Sequence, residues 1–65
     1  MSCVSFRPRE DDEIFRTGLA IVVLVIDEER GLELRIHRDG RVSNHELTQG
    51  VAHYRASPLW EEVSE

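Results

Sequence analysis

Residues 21–36, IVVLVIDEERGLELRI, hold six apolar residues, four charges followed by a glycine, and then a strict apolar–polar alternation. Five of the first six (Ile21, Val22, Val23, Val25 and Ile26) are β-branched. Such side chains lose χ1 freedom against a helical turn but pack well on a pleated sheet, so the run reads as a strand. Asp27 to Gly31 can reverse the chain, since Gly31 is free to take a positive φ. In LELRIH, Leu32, Leu34 and Ile36 fall on one side and Glu33, Arg35 and His37 on the other, the period of a half-buried antiparallel strand. The reading is a hairpin of residues 19–26 and 32–37. Its first strand, apolar on both faces, belongs in the centre of a sheet.

Downstream, Asp39-Gly40 marks a tight turn, and only two or three residues remain for a further strand before SNHE. Ser43 can accept from the backbone NH of Glu46 while Glu46 reaches back to Ser43, as in a capping box. Leu47, Val51 and Tyr54 then recur at i, i+4 and i+7, with Gly50 on the same side to allow a close approach. This predicts one main helix over 44–56, ended by Pro58. Ser57-Pro58 resembles an N-cap and first helical residue, opening a short C-terminal helical turn through LWEEVSE.

Upstream, Val4 and Phe6 alternate with Cys3 and Ser5, a short strand before Pro8. EIFRTG has two readings. It extends the long strand backwards with Gly18 as a bulge, or Pro8 to Thr17 is a short helix with acids in its first turn and Arg16 in its last. The strand is preferred, because Arg7 is a poor N-cap. The expected fold is a single α+β domain over residues 1–65. It has a small antiparallel β-meander of about three strands, with the main helix on one face. That face should be the one to which Leu32, Leu34 and Ile36 contribute. The central strand's other apolar stripe, flanked by Glu33, Arg35 and His37, then needs cover from the Leu59-Trp60 turn, a second copy of the chain or a foreign partner.

Composition bounds the function. A chain of 65 residues buries only roughly 60% of its unfolded surface and usually needs an extra stabiliser, such as a second copy of itself. One cysteine, Cys3, cannot form an internal disulfide, which fits a reducing compartment. Thirteen acidic residues against eight arginines give a net charge of −5. That disfavours nucleic acid and anionic membrane as general partners. MSCVSFRPREDDE has no apolar export segment, and the longest apolar run, Leu19 to Ile26, is far short of the ~20 residues of a spanning helix. A cytoplasmic protein is expected.

Catalytic patterns are near misses. HELTQ begins like a zinc-protease motif, but its fifth residue, Gln49, stands where the second imidazole is needed. On a helix His53 would lie about 12 Å from His45, too far for one ion. His45, Gln49 and His53 read instead as a solvated stripe. No metal-ligand spacing, nucleophile elbow or phosphate-binding glycine loop occurs, and the acids from Glu10 to Glu13 lack the spacing of a calcium loop. No cofactor, metal or enzymatic activity is expected.

Charge patterning carries what remains. Acids cluster at Glu10, Asp11, Asp12 and Glu13, at Asp27, Glu28 and Glu29, and near the C-terminus. The first two clusters should sit at opposite ends of the long strand and form an anionic surface for a basic, possibly nucleic-acid-binding, protein. Trp60 is a candidate hydrophobic anchor. Arg35, Arg38 and Arg41 around the Asp39-Gly40 turn are an alternative set for phosphates. In size and acidity the chain is similar to small inhibitor proteins made by phages, including anti-CRISPR proteins and DNA mimics. That resemblance rests on composition and transfers no site residues. The leading expectation is a non-catalytic binding or inhibitor protein. The alternatives are a nucleic-acid contact module working through the arginine tip and a homodimeric structural subunit.

Overall fold

A computed structural model describes residues 3–11 and 13–63. Five strands form one antiparallel sheet: β1 (Cys3–Pro8), β2 (Ile21–Asp27), β3 (Leu32–His37), β4 (Val42–Glu46) and β5 (Trp60–Glu62), in the order β4-β3-β2-β1-β5. Two six-residue helices, α1 (Glu13–Gly18) and α2 (Val51–Ala56), complete it. This corrects the expected three-strand meander with one main helix: the fold is mostly sheet. The β-branched run does take the middle of that sheet, paired with β3 on one side and β1 on the other. Among the described residues no helix is long and apolar enough to cross a membrane.

The expected 44–56 helix is replaced by a strand, a loop and a short helix. The Arg38–Arg41 turn, with Gly40 at φ 96°, brings residues 42–46 back along β3. A ladder from Ile36↔Val42 to Leu32↔Glu46 then forms. A capping box contributes about 1 kcal/mol, which this ladder outweighs. The Ser43 hydroxyl meets two histidines instead of the Glu46 NH. Gly50, read as a mid-helix residue, becomes the N-cap of α2, a place where its missing side chain costs little. His45, Gln49 and His53 therefore share no helix face.

Among the described residues the C-terminal helical turn is replaced by a strand. Residues 60–62 add to the open edge of β1, in register Phe6↔Glu62, Arg7↔Glu61 and Pro8↔Trp60. The Arg7–Glu61 ion pair, at 2.9 Å, reinforces the pairing. Residues 13–18, preferred as strand, are helical. The helix begins well after Arg7, so the poor cap that argued against it plays no part. Glu13 stands in its first turn and Arg16 in its last, each suited to the helix dipole.

The core lies on one face of the sheet. Phe6, Leu24, Ile26 and Val51 are buried, with Val4, Leu47, Tyr54 and Trp60 packed against them. The Tyr54 ring sits 5.4 Å from Phe6 and 5.9 Å, edge-on, from Trp60. Leu47, Val51 and Tyr54 thus reach one core, although only the last two are helical.

Candidate interaction surfaces

The alternation in β3 has the opposite sense to the one expected. Directly opposed residues of an antiparallel pair project from the same face. Val25↔Leu34 and Val23↔Ile36 therefore put Leu34 and Ile36 beside Val23 and Val25, away from the core residues Leu24 and Ile26. Val42 joins them opposite Ile36, and Leu32 continues the row. Helix α2 covers the other face, above Glu33. The expectation that the helix covers Leu32, Leu34 and Ile36 is thus overturned.

The result is an apolar patch three strands wide: Val23 and Val25 from β2, Leu32, Leu34 and Ile36 from β3, and Val42 from β4. Among the described residues no helix packs across it. Leu32 is 40% and Val42 58% exposed, and the other four are half-buried. Towards β1 the same face turns polar, with Cys3, Ser5 and Arg7.

One end of this patch is acidic. Register sets Leu32 between Asp27 and Glu46, which places Glu46 beside the turn that carries Glu28 and Glu29. Four carboxylates from two hairpins gather there; Arg30 is 3.8 Å from Asp27, and the charge of Arg55 reaches Glu28. Glu28 has a second task. Its Oε2 accepts from the Val51 NH at 3.1 Å and so caps α2. Glu29 and Glu46 are exposed and make no ion pair among the described residues.

The other acidic cluster is partly paired within the chain. Glu10 lies 3.8 Å from Arg7. A hydrogen bond from Arg9, with its charge, holds the Asp11 carboxyl below the usual range. Glu13 is exposed on α1, and Asp12 lies outside the described residues. Among the described residues, the acids of the two clusters without an ion pair are Glu13 on α1 and Glu28 and Glu29 in the β2–β3 turn, the latter two joined by Glu46. Near the C-terminus, Arg55 donates to Glu62 at 2.7 Å and holds that carboxyl below its ordinary value as well.

The three arginines of the alternative phosphate site are not brought together. Arg35 projects to the helix side of the sheet and binds Glu33 at 2.6 Å. Arg41 pairs with Asp39 at 2.8 Å. The backbone NH of Arg41 is the leading influence keeping the Asp39 carboxyl low. Arg38 donates to the carbonyls of Arg16 and Leu19, tying the end of α1 to the β3–β4 turn. Arg38 also borders a cleft of about 500 Å³ with Arg7, Arg16, Thr17 and Val22, rimmed by Glu10. Trp60 is half-buried against Tyr54 and the core, not held out from the surface.

Two features escaped the sequence reading. Glu33, placed by alternation on a solvated side, is 1% exposed, held between Arg35 and the Tyr54 hydroxyl. Nearby, His37 Nε2 and His45 Nε2 each lie 2.9 Å from Ser43 Oγ. One hydroxyl has a single proton to give, so at least one imidazole nitrogen must donate to it. No set of three or more His, Cys, Asp or Glu suited to a metal ion lies together among the described residues.

Comparison of the chain with protein-family models, with curated proteins and with solved structures returns no match.

Proposed function

We propose that the chain is a non-catalytic binding protein that meets a basic protein partner with the acidic end built from Asp27, Glu28, Glu29 and Glu46. The supporting observation is the β3–β4 register, which sets Glu46 beside the β2–β3 turn, where Arg30 pairs with Asp27 and the Arg55 charge reaches Glu28 but four carboxylates stand together. Such an end steers an oppositely charged partner and sets the rate of encounter more than the depth of binding. An inhibitor that occupies a basic, nucleic-acid-binding groove fits this chemistry. Direct contact with phosphates through Arg35, Arg38 and Arg41 draws no support, because Arg35 pairs with buried Glu33 on the helix side and the three do not converge.

The test uses two opposite charge changes at the same end. The full chain is immobilised as bait in a lysate of its source cells, and the captured protein of highest Lys and Arg content is purified for rate measurements. Glu29→Lys should slow association at 0.1 M salt about threefold, and Arg30→Glu should speed it by a similar factor. Both effects should fade in high salt as screening shortens to a few Å. Simple structural damage would move both variants the same way. Failure to capture any basic protein, or rates indifferent to both changes, refutes the reading.

A further inference from the structure

We infer that the open apolar face is the seat of a second copy of this chain, giving a two-fold, face-to-face sheet sandwich. This does not rest on the acidic-end reading, which survives or fails by its own test. Three observations carry the inference: the extent of the face, its self-complementary layout and the placement of its charges.

Strands about 4.8 Å apart and residues about 3.3 Å apart make the whole five-stranded face, apolar over β2–β4 and polar over β1 and β5, roughly 19 by 16 Å. Side-chain relief roughly doubles that footprint, so two copies bury on the order of 1,000 Å², about the lower bound of a specific interface. The apolar residues Val23, Val25, Leu34, Ile36 and Val42 lie in the β2–β4 half, with Asn44 of β4 opposite Leu34. A two-fold interface places the same patch on both partners. Sheets stacked with nearly aligned strands interdigitate about 10 Å apart.

Charge selects the axis. An axis along the strands would set the Asp27 and Glu46 ends of both copies together, like on like. An axis across the strands exchanges the ends, so β3 lies over β3 while Glu46 of one copy approaches the Arg38–Arg41 turn of the other. Glu46 has no cation within 4 Å among the described residues, so it is available for that contact.

Sedimentation equilibrium of the full chain over a wide concentration range tests the inference. The wild type should weigh twice its 7.5 kDa at high micromolar concentration. Leu34→Lys should raise the dimer dissociation constant at least about 100-fold, with the sheet retained by circular dichroism. If that variant does not fold, Val42→Lys, at a site already 58% exposed, carries the test with a rise of about tenfold. Glu46→Arg and Arg41→Glu should each weaken the dimer severalfold, and the double exchange should restore it to within about twofold. A wild type that stays monomeric at high micromolar concentration overturns the inference. So does a dimer that survives Leu34→Lys and Val42→Lys. Indifference to Glu46→Arg overturns the crossed axis.

Discussion

Arg35→Met should be among the most damaging single changes in this chain, while Glu33→Met should be nearly harmless. Glu33 is 1% exposed. Its Oε2 accepts from Arg35 Nε at 2.6 Å, and its Oε1 accepts from the Tyr54 hydroxyl at 3.3 Å. Removing Arg35 leaves a buried carboxylate with one long neutral hydrogen bond, and breaking a buried pair from one side costs about 3–5 kcal/mol. A core of this size supplies roughly that much in total, so Arg35→Met should be largely unfolded at room temperature. The converse differs because the partners are buried unequally. The Arg35 side chain is 37% exposed and can turn to water once Glu33 is gone. Methionine fills the space of Glu33 with an apolar stem, so Glu33→Met should stay within about 1 kcal/mol of wild type. The double variant should recover most of the loss, a coupling of at least about 2 kcal/mol. Urea unfolding followed by the fluorescence of Trp60, the one tryptophan, measures all four proteins at one concentration. An Arg35→Met loss below about 1 kcal/mol, or equal losses for the two single variants, would show that Glu33 is not held as a buried charge.

Two further outcomes follow from the same region. Glu28→Ala should lower stability by about 1 kcal/mol, because α2 starts at a glycine with no side-chain cap and draws its acceptor from Glu28. Gly50→Ala should cost a similar amount, since a Cβ there would stand 2.6 Å from Glu28 Oε2 and displace it; in thermal unfolding the double variant should lose no more than either single one. Tyr54, the single tyrosine, should ionise above the ordinary 10.0, first because it is partly buried and then because the Glu33 charge and hydrogen bond oppose a phenolate. The native state then holds the phenolic proton more tightly than the unfolded chain. That contribution is complete below the unfolded value and is lost as pH rises through the native one. Tyrosinate absorbance and unfolding measured together against pH should show both effects, and Glu33→Met should bring the titration part of the way back.

Local pattern was a sound guide to which residues are apolar and strand-forming, and a poor one to where they go. Five β-branched residues in six put β2 in the middle of the sheet, and Leu47, Val51 and Tyr54 do converge on one core. Ser43 and Glu46 carried a capping signal, yet pairing with β3 supplied more partners than a cap could offer. Trp60–Glu62 looked helical because nothing local announces that β1 has a vacant edge. The face assignment failed for a different reason. Alternation in β3 fixes which residues share a side but not which side the helix takes, and β2, apolar on both faces, could not break the tie. Glu33 was misread with it, since a buried carboxylate is visible only once Arg35 and Tyr54 are seen on either side of it.

The width of the cover explains why the charged side of β3 faces the helix and the apolar side does not. Six residues of helix are about 9 Å long and about 10 Å wide, enough to roof two strands. The fully buried sheet residues on that side, Phe6, Leu24 and Ile26, come from β1 and β2, which α2 can span. Beyond its reach, Arg35, His37 and His45 tolerate the partial exposure that results, because each keeps a polar end near water or a partner. Had the sheet been turned over, α2 would have met an apolar set three strands wide and left part of it open, while Glu33 would have lost the Tyr54 hydroxyl. The short helix therefore determines which face is covered within the chain.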